Sequence, residues 1–239
     1  MDVLRQFPDP GLNPTGVGKC AGIMQERTIE DRLRQEYFEL LPDIRRVESH
    51  LRALIQFQTL PILRQLGTHE QLIIKSRVKD CESAINALRR RTKEGKRREF
   101  ASFDRNRPED YSLLDLKDLA AVRVLAFPLT RLGEIDEALR PLFPDWTPDP
   151  IPDGMGGALA QKYYGFCPDL ENKVQGEYQV VSMLTGLFWE VEHAAIYKPN
   201  PDLKGAERNS GLEELTQEVY RALANFDTGF ARTISQRKT

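Results

Sequence analysis

Two cations stand two residues apart in SRVKDCES, Arg77 and Lys79, with Ser83 four residues further on. On a strand end such a pair points to one side, and Ser83 falls in the first turn of the helix expected to follow. Two positive charges beside a helix N-terminus suit a polyphosphate, which needs point charges for its oxygens and free backbone N–H groups at the positive end of the dipole. Basic pairs at strand ends are more often plain solvated surface. Asp118 lies at the entrance of the apolar segment LKDLAAVRVLAF, with Arg123 near its middle. A charge in so apolar a run must find a partner or a ligand, and an internal salt bridge meets that need as well as a bound anion does. Glu177 and Gln179 in GEYQVV are again two apart, so both project from one face of a strand. With Asp118, Glu177 could hold Mg²⁺, a hard cation that takes one or two carboxylates when substrate phosphates complete its shell. A polar solvent face explains the same spacing.

Two further groups have chemistry to offer. Tyr163, Tyr164 and Phe166 follow a Pro/Gly-rich segment and could stack on a nucleobase, although core packing is the default for such a cluster. The run Arg89, Arg90, Arg91, Lys93, Lys96, Arg97 and Arg98 is interrupted by one acid, Glu94. It reads as a solvated helix end or as a patch for RNA phosphates.

These residues sit in a chain of 239 residues, 40% hydrophobic, which is enough for one main core with helical appendages. With 34 Lys+Arg against 36 Asp+Glu the net charge is -2, so any polyanion must be met by a local patch. Three scattered cysteines, Cys20, Cys81 and Cys167, without a CxxC, argue against a disulfide framework and a zinc site. No apolar stretch approaches the roughly 20 residues of a membrane helix, so no membrane partner is expected and the chain reads as cytoplasmic.

Residues 1–26 are dense in turn formers and read as a flexible leader. Residues 27–67 predict two helices. Thr28 is the N-cap and Ile29, Leu33, Tyr37 and Phe38 form the first stripe; after a break at Pro42, Ile44, Val47, Leu51 and Leu54 form the second. The core, 68–200, begins with a strand at 71–78 and a helix from about 81. A buried strand at 116–127, a helix at 132–143, a proline-rich loop at 144–157 and strands near 161–166 and 176–183 follow. Stripes at Leu184, Phe188, Val191 and Ala195, and at Leu212, Leu215, Val219, Leu223 and Phe226, predict two more helices, the second in the C-terminal part, 201–239. The class is α/β (α+β), a mixed central sheet of about five strands flanked by helices.

In order, these segments resemble the synthetase domain of the RelA/SpoT family, from about residue 70 to 198. The family's R-x-K-x-x-x-S segment is matched by Arg77, Lys79 and Ser83, and its D-[IL]-x-x-x-R strand by Asp118 to Arg123. Its E-x-Q strand and following helix are matched by Glu177, Gln179, Glu192, His193, Tyr197 and Lys198. The resemblance implies a nucleotidyltransferase-like fold and a pyrophosphokinase of the single-domain, small-alarmone-synthetase type. Such an enzyme passes the β,γ-diphosphate of ATP to the 3′-hydroxyl of GDP or GTP. Arg77, Lys79, Ser83 and Arg123 would bind ATP; Asp118 and Glu177 would hold Mg²⁺; Glu177, with Gln179, would activate the hydroxyl; and Tyr163 would stack on the acceptor base.

The chain departs from the family where a Y-R-G-Y-H-like segment is expected: it has Tyr163, Tyr164, Gly165, Phe166 and Cys167, so Tyr164 replaces arginine and Cys167 replaces histidine. Ala87 stands where a lysine is common. The altered acceptor half keeps two alternatives open, a toxin-type enzyme acting on the 3′-CCA end of tRNA and a non-catalytic nucleotide- or RNA-binding domain. A homo-oligomer or an antitoxin is a further candidate partner. Hydrolase activity is not expected, because none of His50, His69 and His193 is followed by Asp.

Overall fold

The computed structural model describes residues 28–91, 103–152, 158–192 and 210–237. The leader, the basic positions Lys93, Lys96, Arg97 and Arg98, and the motif positions His193, Tyr197 and Lys198 lie outside the described residues.

Helix α1, Ile29–Arg64, begins in a capping box: Thr28 Oγ1 accepts from the Asp31 N–H at 3.1 Å, and the Asp31 carboxylate reaches back to the Thr28 N–H. The two helices expected about Pro42 are one. Ile29, Leu33, Tyr37, Leu40, Ile44, Val47, Leu51, Ile55 and Ile62 are buried in an unbroken rhythm of threes and fours with Thr59. Each Leu or Ile buried in full contributes roughly 1.5–3 kcal/mol, so this stripe outweighs the roughly 3 kcal/mol that an interior proline costs. Pro42 is exposed, and the carbonyl that it leaves without a helical donor belongs to Phe38, itself 64% exposed and open to water. Phe38 is therefore on the solvent side, not in the stripe.

The sheet comprises β1 (Gln71–Val78), β2 (Ala120–Phe127), β3 (Thr147–Pro148), β4 (Ile151–Pro152), β5 (Ala158–Gly165) and β6 (Gly176–Ser182), in the order β1-β2-β6-β5-β3 with β4 also on β5. Only β2 and β6 run parallel. The proline-rich segment expected as loop thus contributes two short arms, placed at the margin where a missing N–H does least harm. Helices α2 (Cys81–Arg91) and α3 (Arg131–Leu139) follow β1 and β2, and α4 (Met183–Glu192) and α5 (Ser210–Arg237) end the described chain.

Alternation along the strands divides the sheet into two faces. Val122, Val124, Tyr178 and Val180 join the large core with α1 and α3. On the other face Leu125, Ala160 and Val181 form a smaller core with Met183 under α4. Gly186 makes that packing possible: a Cβ there would stand 2.3 Å from Leu125 Cδ2 and 3.1 Å from Val181 Cγ1.

The α5 stripe differs from the expected one by a residue. Thr216, Tyr220, Asp227 and Ala231 are buried, whereas Leu215 and Phe226 are exposed. The helix docks through polar anchors: Asp227 accepts from the Leu129 N–H at 2.8 Å and from Ser182 Oγ at 2.5 Å, and the Tyr220 hydroxyl donates to Glu192. Replacing Asp227 with Ala strands those donors and should lower stability by about 1–3 kcal/mol in urea denaturation; a change below about 0.5 kcal/mol would show that α5 is held by its apolar contacts alone.

Candidate active site

Strand register assembles the site in two rows across one sheet face. Arg77 stands opposite Ala121, which pairs with Glu177, which pairs with Tyr164. One pleat away, Lys75, Arg123, Gln179 and Lys162 form the next row. The apolar row of Leu125, Val181 and Ala160 lies beyond it, under α4.

Asp118 and Lys79 join this face from the segments just outside β2 and β1. The Lys79 ammonium donates to Asp118 Oδ2, and Arg77 Nη2 lies 3.8 Å from the same oxygen. Lys79 is itself held by its backbone, whose N–H donates to Leu119 O at 2.8 Å and whose carbonyl accepts from the Tyr37 hydroxyl at 2.8 Å. Arg123 Nε donates to Gln179 Oε1 at 2.9 Å, and Gln179 Nε2 donates to Glu177 Oε1 at 2.7 Å. The amide thus relays orientation from a guanidinium to a carboxylate. The guanidinium carbon of Arg123 also lies 5.5 Å from the Trp189 ring centroid.

Burial, then the neighbouring charge of Asp118, raises the proton affinity of Glu177; Lys162, Gln179 and Arg77 oppose that rise. Burial, and next Arg77, makes the Arg123 cation less favourable than usual. A buried cation disfavoured by its neighbour, and a carboxylate short of solvent, are groups that gain from a charged ligand.

Arg77, Lys79, Asp118, Arg123, Glu177 and Gln179 are thus brought together. Ser83 stands in the first turn of α2, but its backbone N–H donates to Asp80 Oδ1 at 2.9 Å, so Asp80 takes part of the helix N-terminus expected to receive phosphate. Tyr163 is a correction. It projects from the opposite face, 6% exposed, with its ring stacked on Tyr178 at 4.8 Å, so it cannot stack on a base bound beside Glu177. Cys167 lies in the same core, its thiol pushed up to about 12 by burial, and does not stand beside the Glu177 row. Of the two tyrosines, Tyr164 is the one on the site face, with the Lys117 ammonium 3.8 Å from its ring centroid. Of the basic run, Arg89 is engaged within the fold by Glu30 at 3.1 Å and lies over Phe103; Arg90 and Arg91 end α2.

Lys75, Lys162, Lys117 and Glu190 were missed. Lys75 shares the parity of Arg77, and Lys162 that of Tyr164, so alternation could have found both. Glu190 comes from a helix, and no strand pattern points to it. Lys162 pairs with Asp149 at 2.6 Å.

No family model and no curated protein matches the sequence. Solved structures are similar in backbone. Small alarmone synthetase 1 from Bacillus subtilis bound to its product pppGpp aligns with TM-score 0.60 at 16% identity, over 86% of this chain and 100% of that one. The same synthetase bound to AMPCPP aligns with TM-score 0.59 at 13% identity, over 85% and 98%. A GTP pyrophosphokinase family protein from Streptococcus pneumoniae aligns with TM-score 0.55 at 16% identity, over 82% and 92%. The fold, a mixed sheet flanked by helices, is that of the small alarmone synthetases. Among the described residues no helix is long and apolar enough to cross a membrane.

The raised proton affinity of Glu177 has a sign that can be checked. A folded carboxyl that holds its proton more tightly than the unfolded one adds stability at low pH, which is lost as pH rises through the folded value. Glu177→Gln removes that dependence. The variant should match the wild type near pH 4 and gain on it as pH rises toward 8, read as the difference in denaturation midpoint. A gap that is constant across this range would mean that Glu177 titrates as an ordinary surface carboxylate.

Proposed function

We propose that the chain is a pyrophosphokinase that transfers the β,γ-diphosphate of ATP to the 3′-hydroxyl of a guanine nucleotide. What carries the reading is the convergence of Arg77, Lys79 and Arg123 with Asp118 and Glu177 on one face of a small-alarmone-synthetase fold. Transfer of this kind is mostly positioning and charge neutralisation. Arg77, Lys79 and Arg123 cradle the phosphates. The acceptor 3′-oxygen attacks the β-phosphorus, the bond from that phosphorus to the oxygen bridging the α-phosphate breaks, and AMP leaves with the electron pair. The hydroxyl proton passes to Glu177, a carboxylate short of solvent that Gln179 holds in orientation.

Asp118 and Glu177 also suit Mg²⁺. Asp118 is near enough to raise the proton affinity of Glu177, so the two carboxylates gain from a shared dication, and phosphate oxygens can complete its shell. Bound there, the ion would offset charge on the phosphate oxygens. Tyr164, on the Glu177 face, takes the base-stacking role, with Lys117 over its ring.

The test is transfer of label from γ-³²P-ATP to GDP, GTP or tRNA in separate reactions with Mg²⁺. The reading expects labelled guanosine 3′-diphosphates; label on tRNA alone would identify the toxin-type alternative, and no transfer to any acceptor would leave a binding module. Asp118→Asn should keep the fold and reduce turnover about 100-fold or more, since several kcal/mol of charge stabilisation is lost. Near-normal turnover in that variant would refute its assignment.

Tyr164→Ala should raise the acceptor KM by about five- to a hundredfold while AMPCPP affinity is kept, the range that stacking is worth. Unchanged acceptor kinetics would move the base elsewhere. Reversing the charges of Lys93, Lys96, Arg97 and Arg98 should leave guanine-nucleotide turnover unaltered; a loss confined to tRNA binding would again favour the tRNA substrate.

A further inference from the structure

A carboxylate from the covering helix enters the cationic row. Lys75 Nζ donates to both Glu190 oxygens, at 3.0 and 2.8 Å, and Arg123 Nη1 lies 3.9 Å from Glu190 Oε1. Lys75 and Arg123 are direct partners in the β1–β2 register, so Glu190 joins two strands through their charges. Its place follows from helix geometry. Gly186 sits against Leu125 and Val181, and Glu190, one turn later on the same side of α4, comes down on the next row of the sheet.

The helix does not need Glu190 to stay there. Its close approach at Gly186, the contact of Phe188 with Tyr220 and the hydrogen bond from the Tyr220 hydroxyl to Glu192 all hold α4 independently. The Glu190 side chain is 43% exposed and that of Lys75 is 41% exposed. Ion pairs so solvated contribute about 0–1 kcal/mol, so a ligand can displace one at small cost. A carboxylate set between an ammonium and a guanidinium also has the charge and oxygen spacing with which a phosphate group would meet the same pair.

We propose that Glu190 is an internal competitor for the polyphosphate. In the ligand-free protein it occupies the Lys75–Arg123 end of the anion row, and a substrate must displace it before those two cations can hold phosphate. The proposal rests on the reading that this face binds the ATP phosphates. Every anion that takes these two cations meets the same cost of displacing Glu190, and a chain of phosphates that also reaches Arg77 has further contacts with which to meet it. Glu190 thereby makes Lys75 a phosphate-binding residue that is masked until substrate arrives.

The experiment is calorimetric titration of the full chain with inorganic tripolyphosphate, AMPCPP and inorganic phosphate, for the wild type, Glu190→Gln and the double variant Glu190→Gln, Lys75→Gln. Circular dichroism melts check that each is folded, and Glu190→Ala serves as a second test of the same position. Glu190→Gln should bind tripolyphosphate and AMPCPP about two- to fivefold more tightly, as expected for removing one competing exposed charge. Adding Lys75→Gln should abolish the gain. Measurable tripolyphosphate binding that is equal in wild type, Glu190→Gln and Glu190→Ala would overturn the competitor role and leave the ATP-binding reading standing. If neither tripolyphosphate nor AMPCPP binds any of the proteins, the phosphate reading of the face fails, and the competitor role fails with it.

Discussion

Parallel pairing of β2 with β6 sets Ala121 beside Glu177 and Arg123 beside Gln179. Because side chains alternate with period two, that one register decides both faces of the sheet at once. Slipping β6 by a residue would carry Tyr178 and Val180 to the open face and bury Glu177 and Gln179 against α1. Tyr178 and Val180 are both fully buried, and exposing such side chains costs roughly 1.5–3 kcal/mol each, before any charge has been placed in the core. The polar rows thus keep their geometry because the apolar rows behind them cannot move. The long helix α1 is the other half of this restraint, and the continuity of its stripe past Pro42 shows how strongly the core demands it.

The same face is balanced in charge. Lys79 and Arg77 meet Asp118, Lys75 and Arg123 meet Glu190, and Lys162 meets Asp149. A row of cations on a chain of net charge -2 therefore presents no broad positive field, and attraction of a polyanion must be local. This arrangement favours ligands that can replace several carboxylates together over those that match a single charge. It also links the site to the C-terminal part of the chain, since α5 holds α4 through Tyr220 and the end of β6 through Asp227 and Ser182.

The electrostatics of the candidate site depend on burial as much as on charge. Glu177 lies among side chains that exclude water, so its proton is held more tightly than in solution, while the relay from Arg123 through Gln179 fixes one of its oxygens. A solvated glutamate at the same position would hold its proton less tightly and be free to rotate. The site therefore depends on the small core under α4, where Leu125 and Val181 lie in the row next to Arg123 and Gln179.

Much of this was legible in the chain alone. The spacing Arg77–Lys79, the apolar run around Arg123 and the pair Glu177–Gln179 established which elements are strands and which residues share a parity, because period-two alternation is a local property. Thr28 as an N-cap was readable for the same reason. Parity alone, however, does not say which face is the core. Tyr163 and Tyr164 are neighbours of the same type, and only the pairing of Tyr163 with Tyr178, and of Tyr164 with Glu177, put the first inside and the second at the site. The unbroken α1, the phase of α5 and the entry of Glu190 into the cationic row were likewise decided by tertiary contact. Each depends on which surface lies opposite, a fact carried by residues far away in sequence and by no local pattern.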